Sequence, residues 1–350
     1  MSSRSWFLVP EAGNGAGDAY YREIDLIKAV AVIAVVVLHS LPVDTLKTLL
    51  APFHVWQAVP VFMMVAGMNS YFSAARLPAG WRAHYAARRW RRYGRRLLAP
   101  FTVVWLLEVA VLLATRRPPA GKIFFSYFSG GFGPGSYFIP IFVQHLLFYP
   151  LIFRWLRRFR DKQSLLLLLV FFGAALLLEY LCVAANLPEK VYRLLYVRYF
   201  FAVAVGSLLV SRSFSRPLFR LLAFLSICYV WGTVYGRLRL PFIYPAWGFQ
   251  HAPAYFYTAL LVAGCWRGYG RWRRPAGWLL PVGRASFHVF LVQMLWFWLW
   301  GRHLRPLLGS DVVYLLVNLA VILPLGGGFY ALHRFVDRRL SPGGGQPRPA

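Results

Sequence analysis

Acidic side chains are scarce in this sequence: Asp and Glu number 11 against 39 Lys and Arg in 350 residues. Charge of either sign makes up 14% of the chain. A soluble domain carries about 25%, so an ordinary soluble domain is excluded. Cysteine is almost absent. Cys182, Cys228 and Cys265 lie far apart, each within or beside an apolar block, and no CxxC pair exists. Neither a zinc site nor a disulfide framework is indicated, and no metal is expected. HExxH, GxSxG and Walker patterns are missing, which leaves metalloprotease, hydrolase-elbow and P-loop chemistry without support. The first 20 residues are Gly- and Ala-rich and nearly uncharged, without the basic start and apolar core of a cleavable leader. The apolar block after Tyr21 is therefore expected to stay as the first span. No internal repeat is visible, which counts against the inverted-repeat transporters.

What the chain has instead is apolar residues, 59% of the total, in recurring blocks of roughly 17–25 residues, the length that crosses a bilayer as helix. The alternation of barrel strands is missing, so the blocks read as helices. Spans are placed at 24–43, 54–73, 97–115, 136–156, 163–182, 194–211, 218–236, 251–269, 283–301 and 312–333. The expected fold is an all-α polytopic membrane protein, a bundle of about ten transmembrane helices. Most Lys and Arg fall in the connections on one side, which places both termini in the cytoplasm and the chain in the cytoplasmic (inner) membrane. The formal charge of +28 would also suit a nucleic acid. The basic residues cluster between apolar blocks rather than interrupting them, so no nucleic-acid partner is expected. The lipid bilayer is the first partner. Residues 1–20 read as a flexible N-terminal tail, 21–340 as one membrane-embedded domain, and 341–350, SPGGGQPRPA, as a disordered C-terminal tail.

Ionisable groups at membrane depth are costly and mark function by default. The first span carries Asp25, Lys28 and His39. On a helix, Lys28 and His39 differ in direction by only about 20°, and Asp25 lies about 60° from Lys28 on the same side. One polar stripe therefore points into the bundle. Two readings stand for Asp25 and Lys28: interfacial anchors forming an i,i+3 pair, or the inner part of a functional stripe. His39 lies about 16 Å farther along the axis, either as a capping group near the outer surface or as a chemical group. Neutral imidazole can take a proton from an alcohol, and a cation 11 residues deeper can hold an anionic donor.

The second inner connection holds eight basic residues from Arg76 to Arg96, interleaved with Trp81, Tyr85, Trp90 and Tyr93. It reads as an interfacial helix held by anionic headgroups, with a few arginines free to serve phosphate groups, which guanidinium forks suit. Gln144 and His145 open the core of the fourth span after the Gly-rich stretch Gly130 to Pro140, which contains Ser136 and is either a loop approaching a ligand closely or a flexible turn. Glu108 and Glu179 read either as proton-handling groups or as interhelical partners for arginines such as Arg198. Gln293 and Asn318 read as interhelical hydrogen bonders, and His54, His251 and His288 as interfacial packing groups near span ends.

Five segments taken in order resemble the acyltransferase 3 family of multi-pass membrane O-acyltransferases, which modify sugars and surface polysaccharides. REIDLIKAVAVIAVVVLHS, from Arg22 to Ser40, resembles the family's opening helix. VPVFMMVAGMNSYF, from Val59 to Phe72, RRYGRRLLAPF, from Arg91 to Phe101, and GSYFIPIFVQHLLFYPLIF, from Gly135 to Phe153, are similar to its next three motifs. GRASFHVFLVQ, from Gly283 to Gln293, resembles a later one. The likeness runs from about residue 20 to 340.

The resemblance implies transfer of an acyl group, usually acetyl, from cytosolic acyl-CoA to a hydroxyl of a sugar, surface polysaccharide or lipid-linked glycan. Acyl-CoA would be a co-substrate, with no permanently bound cofactor. By position, His39 would be the catalytic histidine, with Lys28 in place of the family's arginine eleven residues earlier and Asp25 beside it. Lys28, Arg92, Arg95 and Arg96 would hold the CoA phosphates, while Ser136, Gln144, Glu179 and Gln293 would serve the substrate or the polar bundle interior. Three departures stand out. Lys28 lacks the planar fork of arginine, Ala66 replaces the usual serine before Gly67, and Gln293 stands where many members have histidine. The hydrolase-like extracytoplasmic domain of some members is missing, which suggests a stand-alone transferase. The alternative reading, from another class, is a transporter or flippase for a glycan or lipid intermediate, its buried polar residues lining a path.

Overall fold

The computed structural model describes residues 21–340 apart from 79, 117, 213 and 270–276. The tails expected at 1–20 and 341–350 lie outside the described residues. The described chain is helical, with no strand among the described residues. In order, the helices are α1 (Arg22–Ser40), α2 (Val43–Thr48), α3 (Ala58–Ala75), α4 (Trp81–His84), α5 (Ala87–Tyr93), α6 (Ala99–Arg116), α7 (Ala120–Phe128), α8 (Phe138–Arg158), α9 (Ser164–Ala184) and α10 (Glu189–Tyr192). There follow α11 (Val197–Ser211), α12 (Arg216–Val234), α13 (Tyr255–Tyr269), α14 (Leu279–Arg284), α15 (Ser286–Leu308) and α16 (Asp311–Arg339).

A long helix occupies each stretch where the apolar pattern places a span. Among the described residues, seven segments are long and apolar enough to cross a membrane: Ala51–Ala75, Trp81–Arg116, Phe138–Arg158, Asp161–Ala184, Glu189–Ser211, Arg216–Val234 and Asp311–Arg339. The other three fall short for identifiable reasons. α1 carries Glu23, Asp25 and Lys28 near its start, and among the described residues α13 runs to Tyr269 and the apolar part of α15 to Gly301.

Burial separates the centre of the bundle from its rim. The apolar windows of the segments containing α3 and α11 are each 67% buried, against 22% for those of α12 and α16. The rim helices α6, α9, α12 and α16 expose leucines such as Leu106, Leu169, Leu221 and Leu316, a surface that only lipid or another apolar partner covers. At the centre, small residues let backbones meet. A Cβ on Gly67 would strike the carbonyl of Val203, and one on Gly206 the carbonyl of Met64, so α3 and α11 cross at near-backbone contact. Gly283 likewise seats α14 against the Asp25 carbonyl of α1.

Candidate functional site

The polar stripe of α1 looks inward. Val30, the one exposed position in the interior of that helix, is nine residues from His39 and so about 180° away from it. Lys28 Nζ lies 2.6 Å from Asp25 Oδ1, and Arg284 Nε lies 3.5 Å from Asp25 Oδ2. Asp25, 3% exposed, thus ties the start of α1 to α14 while fixing the lysine. The i,i+3 pair read from the sequence is present, and its lysine faces a cavity.

That cavity has a volume of about 700 Å³ and lies between the start of α1, the end of α3 and the arm formed by α4, α5 and the residues that follow. Its cations are Lys28, Arg76, Arg88, Arg89, Arg92 and Arg96, and Asp25 is the only carboxylate in its lining. Arg89 Nε donates to the Tyr93 hydroxyl at 2.8 Å. Arg88, Arg92 and Arg96 have no hydrogen-bond or ion-pair partner among the described residues. Like charges gathered so closely repel, and an anion entering the cavity relieves that repulsion.

Arg95 faces elsewhere. The arm joins α6 through a wide π-helical turn, Gly94–Leu98, and π turns commonly mark functional places in a helix. Arg95 Nε sits 3.5 Å from Asp337 Oδ1 of α16, and the Arg95 carbonyl lies 3.1 Å from His333 Nε2. Of the four phosphate-holding candidates, Lys28, Arg92 and Arg96 line the cavity and Arg95 does not. Arg76, Arg88 and Arg89 join them. The sequence showed these three only as part of a basic run, because their grouping depends on how the arm folds back over α3.

His39 lies three turns beyond Lys28, past the lining of the cavity. Its ring packs on Phe297 of α15 with centroids 5.7 Å apart, and neither ring nitrogen has a hydrogen-bond partner among the described residues. The next residue starts a polar link across three helices. Ser40 Oγ accepts from Asn318 Nδ2 at 3.0 Å, and Asn318 Oδ1 accepts from Trp296 Nε1 at 2.9 Å. Asn318 is therefore the interhelical hydrogen bonder its sequence position suggested.

The remaining polar candidates bind loops and helices to one another. Glu108 accepts the backbone N–H groups of Phe132 and Gly133 at 3.0 and 3.1 Å, and Gln293 donates to the Pro134 carbonyl at 3.1 Å. The Gly-rich stretch is thus pinned between α6 and α15, with Gly130, Gly131 and Gly135 at positive φ. Ser136 belongs to the same turn, its N–H bonded to the Gly133 carbonyl at 3.2 Å. Gln144 bridges to the chain before α11, donating to Leu194 O at 2.6 Å and accepting from Tyr196 N at 2.9 Å. His145, fully buried, lies 2.9 Å from Ser70 Oγ.

Neither Glu108 nor Glu179 forms an ion pair with Arg198 among the described residues. Both Glu179 oxygens are taken by the Tyr192 hydroxyl, at 2.8 and 2.9 Å. Two histidines read as interfacial packing groups prove to be buried and bonded. His251 Nε2 lies 2.9 Å from the Tyr192 hydroxyl and His288 Nε2 lies 2.9 Å from His333 Nδ1. No group of three or more His, Cys, Asp or Glu side chains able to hold a metal occurs among the described residues.

Apolar helices packed around a helix that carries its own ionisable groups define a multi-pass membrane protein. The chain belongs to the acyltransferase 3 family, whose family model, an acyltransferase domain, matches residues 21–329. No curated protein and no solved structure matches it.

Proposed function

We propose that the protein moves an acyl group, acetyl in the first instance, from cytosolic acyl-CoA to a hydroxyl of a sugar, surface polysaccharide or lipid-linked glycan. Ten helices cross the cytoplasmic membrane, with both termini and the arginine arm in the cytosol. The observation that carries the reading is the cavity at the start of α1. Arg88, Arg92 and Arg96 stand there without partners among the described residues, beside Lys28 of the helix that carries His39. Guanidinium groups suit phosphates, and the phosphorylated nucleotide of CoA is such a ligand. The roughly 16 Å from Lys28 to His39 along α1 is comparable to the extended pantetheine arm that joins that nucleotide to the thioester.

His39 then acts at the acyl end. Its free nitrogen lone pair takes the proton of the acceptor hydroxyl as the oxygen attacks the thioester carbonyl. The C–S bond breaks, CoA leaves as thiolate, and the imidazolium returns the proton to that sulfur. In a second course the acyl group passes first to the imidazole, which gives ping-pong kinetics. With no hydrogen bond to either ring nitrogen from the described residues, orientation of the ring falls to Phe297 and to the substrates. The experiment is acyl-CoA-dependent labelling of a glycan acceptor by the full-length protein in vesicles. Labelling should vanish in His39→Ala while expression and thermal unfolding stay intact. Labelling that survives in that variant overturns the assignment of His39, and glycan transport without any acyl transfer overturns the reading as a whole.

A further inference from the structure

The start of α11 buries a guanidinium whose hydrogen bonds are incomplete. Arg198 is 2% exposed. Its Nη2 donates to the Tyr199 hydroxyl at 2.6 Å, whereas Nε and Nη1 have no hydrogen-bond partner among the described residues. The group is enclosed by aromatic faces. The ring centroids of Tyr199, Trp247 and Tyr137 lie 4.5, 5.1 and 5.3 Å from its Cζ. Those faces soften the cost of the buried charge, but they do not accept the in-plane N–H groups. Such orphan donors are rare in folded proteins and call for an acceptor.

An orphan acceptor lies one residue away, on His251, which bonds the Tyr192 whose ring centroid is 6.0 Å from Arg198 Cζ. The single proton of the Tyr192 hydroxyl goes to Glu179, so His251 donates to that hydroxyl through Nε2. Its Nδ1 then carries a lone pair, and this atom is buried without a partner. Trp247 forms one wall in a left-handed backbone conformation, φ +70°, which a bulky residue adopts only when its surroundings impose it. Trp247 and Arg193 are partly exposed, so the surface lies on their side of Arg198. The charged groups that contact these rings are two of each sign, Arg193 and Arg198 against Glu179 and Glu189, whose Oε1 accepts from Trp247 Nε1 at 3.2 Å. A phosphate or carboxylate would upset that balance; a neutral polyhydroxyl compound would not.

We propose that Arg198, His251, Tyr137 and Trp247 form a binding subsite for a neutral pyranose ring, its hydroxyls on Arg198 and His251, with Tyr137 and Trp247 as its aromatic walls. The inference rests on the acyl-transfer reading only in naming that ring as part of the acceptor. Tyr137 ends the Gly-rich turn whose Pro134 is bonded to Gln293, one helical turn before the Phe297 that touches His39. The subsite and His39 are therefore linked through the Gly-rich turn, one hydrogen bond and one turn of α15.

The test uses full-length protein in detergent and reads thermal stabilisation by methyl glucoside, methyl galactoside, methyl mannoside, glucuronate and inorganic phosphate. At least one neutral glycoside is expected to stabilise the protein more than glucuronate or phosphate does. Trp247→Phe, which keeps an aromatic wall, should weaken that binding several-fold, and Arg198→Gln by about thirtyfold. Stabilisation by phosphate or glucuronate in preference, no stabilisation by any glycoside, or glycoside binding unchanged in Trp247→Phe would each overturn the proposal. Acyl-CoA added to the same samples reports separately on the arm cavity. A protein that binds glycoside but not acyl-CoA loses the donor reading and keeps this one, and the converse result does the opposite.

Discussion

Replacing Arg88, Arg92 and Arg96 together with glutamine tests the donor cavity, because these side chains line it and bond to nothing else among the described residues. All three are exposed, so each phosphate contact is screened and contributes only about 1 kcal/mol. Three such losses sum to about 3 kcal/mol, or roughly a hundredfold in dissociation constant. The change should shrink as salt rises, since the Debye length is about 8 Å at physiological ionic strength. Equilibrium binding of acyl-CoA to the full-length variant measures the loss directly. The decisive comparison is acyl-pantetheine, which keeps the thioester and lacks the nucleotide phosphates. Its binding should not differ between wild type and triple variant. Equal losses for the two thioesters would mean that the substitutions collapse the arm rather than remove phosphate contacts. Unchanged acyl-CoA binding would mean that the cavity serves another ligand.

Two further predictions concern the fold that carries the site. Gly206→Ala puts a methyl group against the Met64 backbone, which cannot swing aside as a side chain would. About 3 kcal/mol of destabilisation is expected, seen as an earlier thermal transition, while Gly173→Ala on α9, with open space around it, should be neutral or slightly stabilising. Glu108→Ala removes the acceptor from two backbone N–H groups and should cost about 3 kcal/mol. Glu108→Gln, which keeps a carbonyl oxygen, should lose markedly less in the same thermal assay.

The parts of this molecule that were legible in the sequence are those governed by local periodicity. Apolar block length located the long helices, and the eleven-residue spacing placed Lys28 and His39 on one inward stripe opposite Val30, because both follow from the pitch of a single helix. The same argument reached the Asp25–Lys28 pair, three residues apart. It could not reach Arg284, the second partner of Asp25, which comes from a helix more than 250 residues later. The surroundings of Arg198 stayed open for a related reason. Charge alone suggested a carboxylate partner, whereas in three dimensions Tyr192 occupies Glu179 and aromatic rings surround the guanidinium.

The arm shows most clearly where periodicity fails. In a regular α-helix Arg92, Arg95 and Arg96 would share one face, being three and four residues apart, and they would serve one ligand. The π turn at Gly94–Leu98 breaks that phase. Arg92 and Arg96 stay with the cavity, while Arg95 swings to Asp337 and offers its carbonyl to His333. One run of arginines is thereby divided between two tasks. One face gathers the positive charge that an anionic ligand requires, and the other fastens the arm to the C-terminal helix. Because the Arg95–Asp337 pair is exposed on both sides, it contributes at most about 1 kcal/mol. The wide turn and the packing of α6 behind it, rather than that ion pair, therefore hold Arg96 over the cavity.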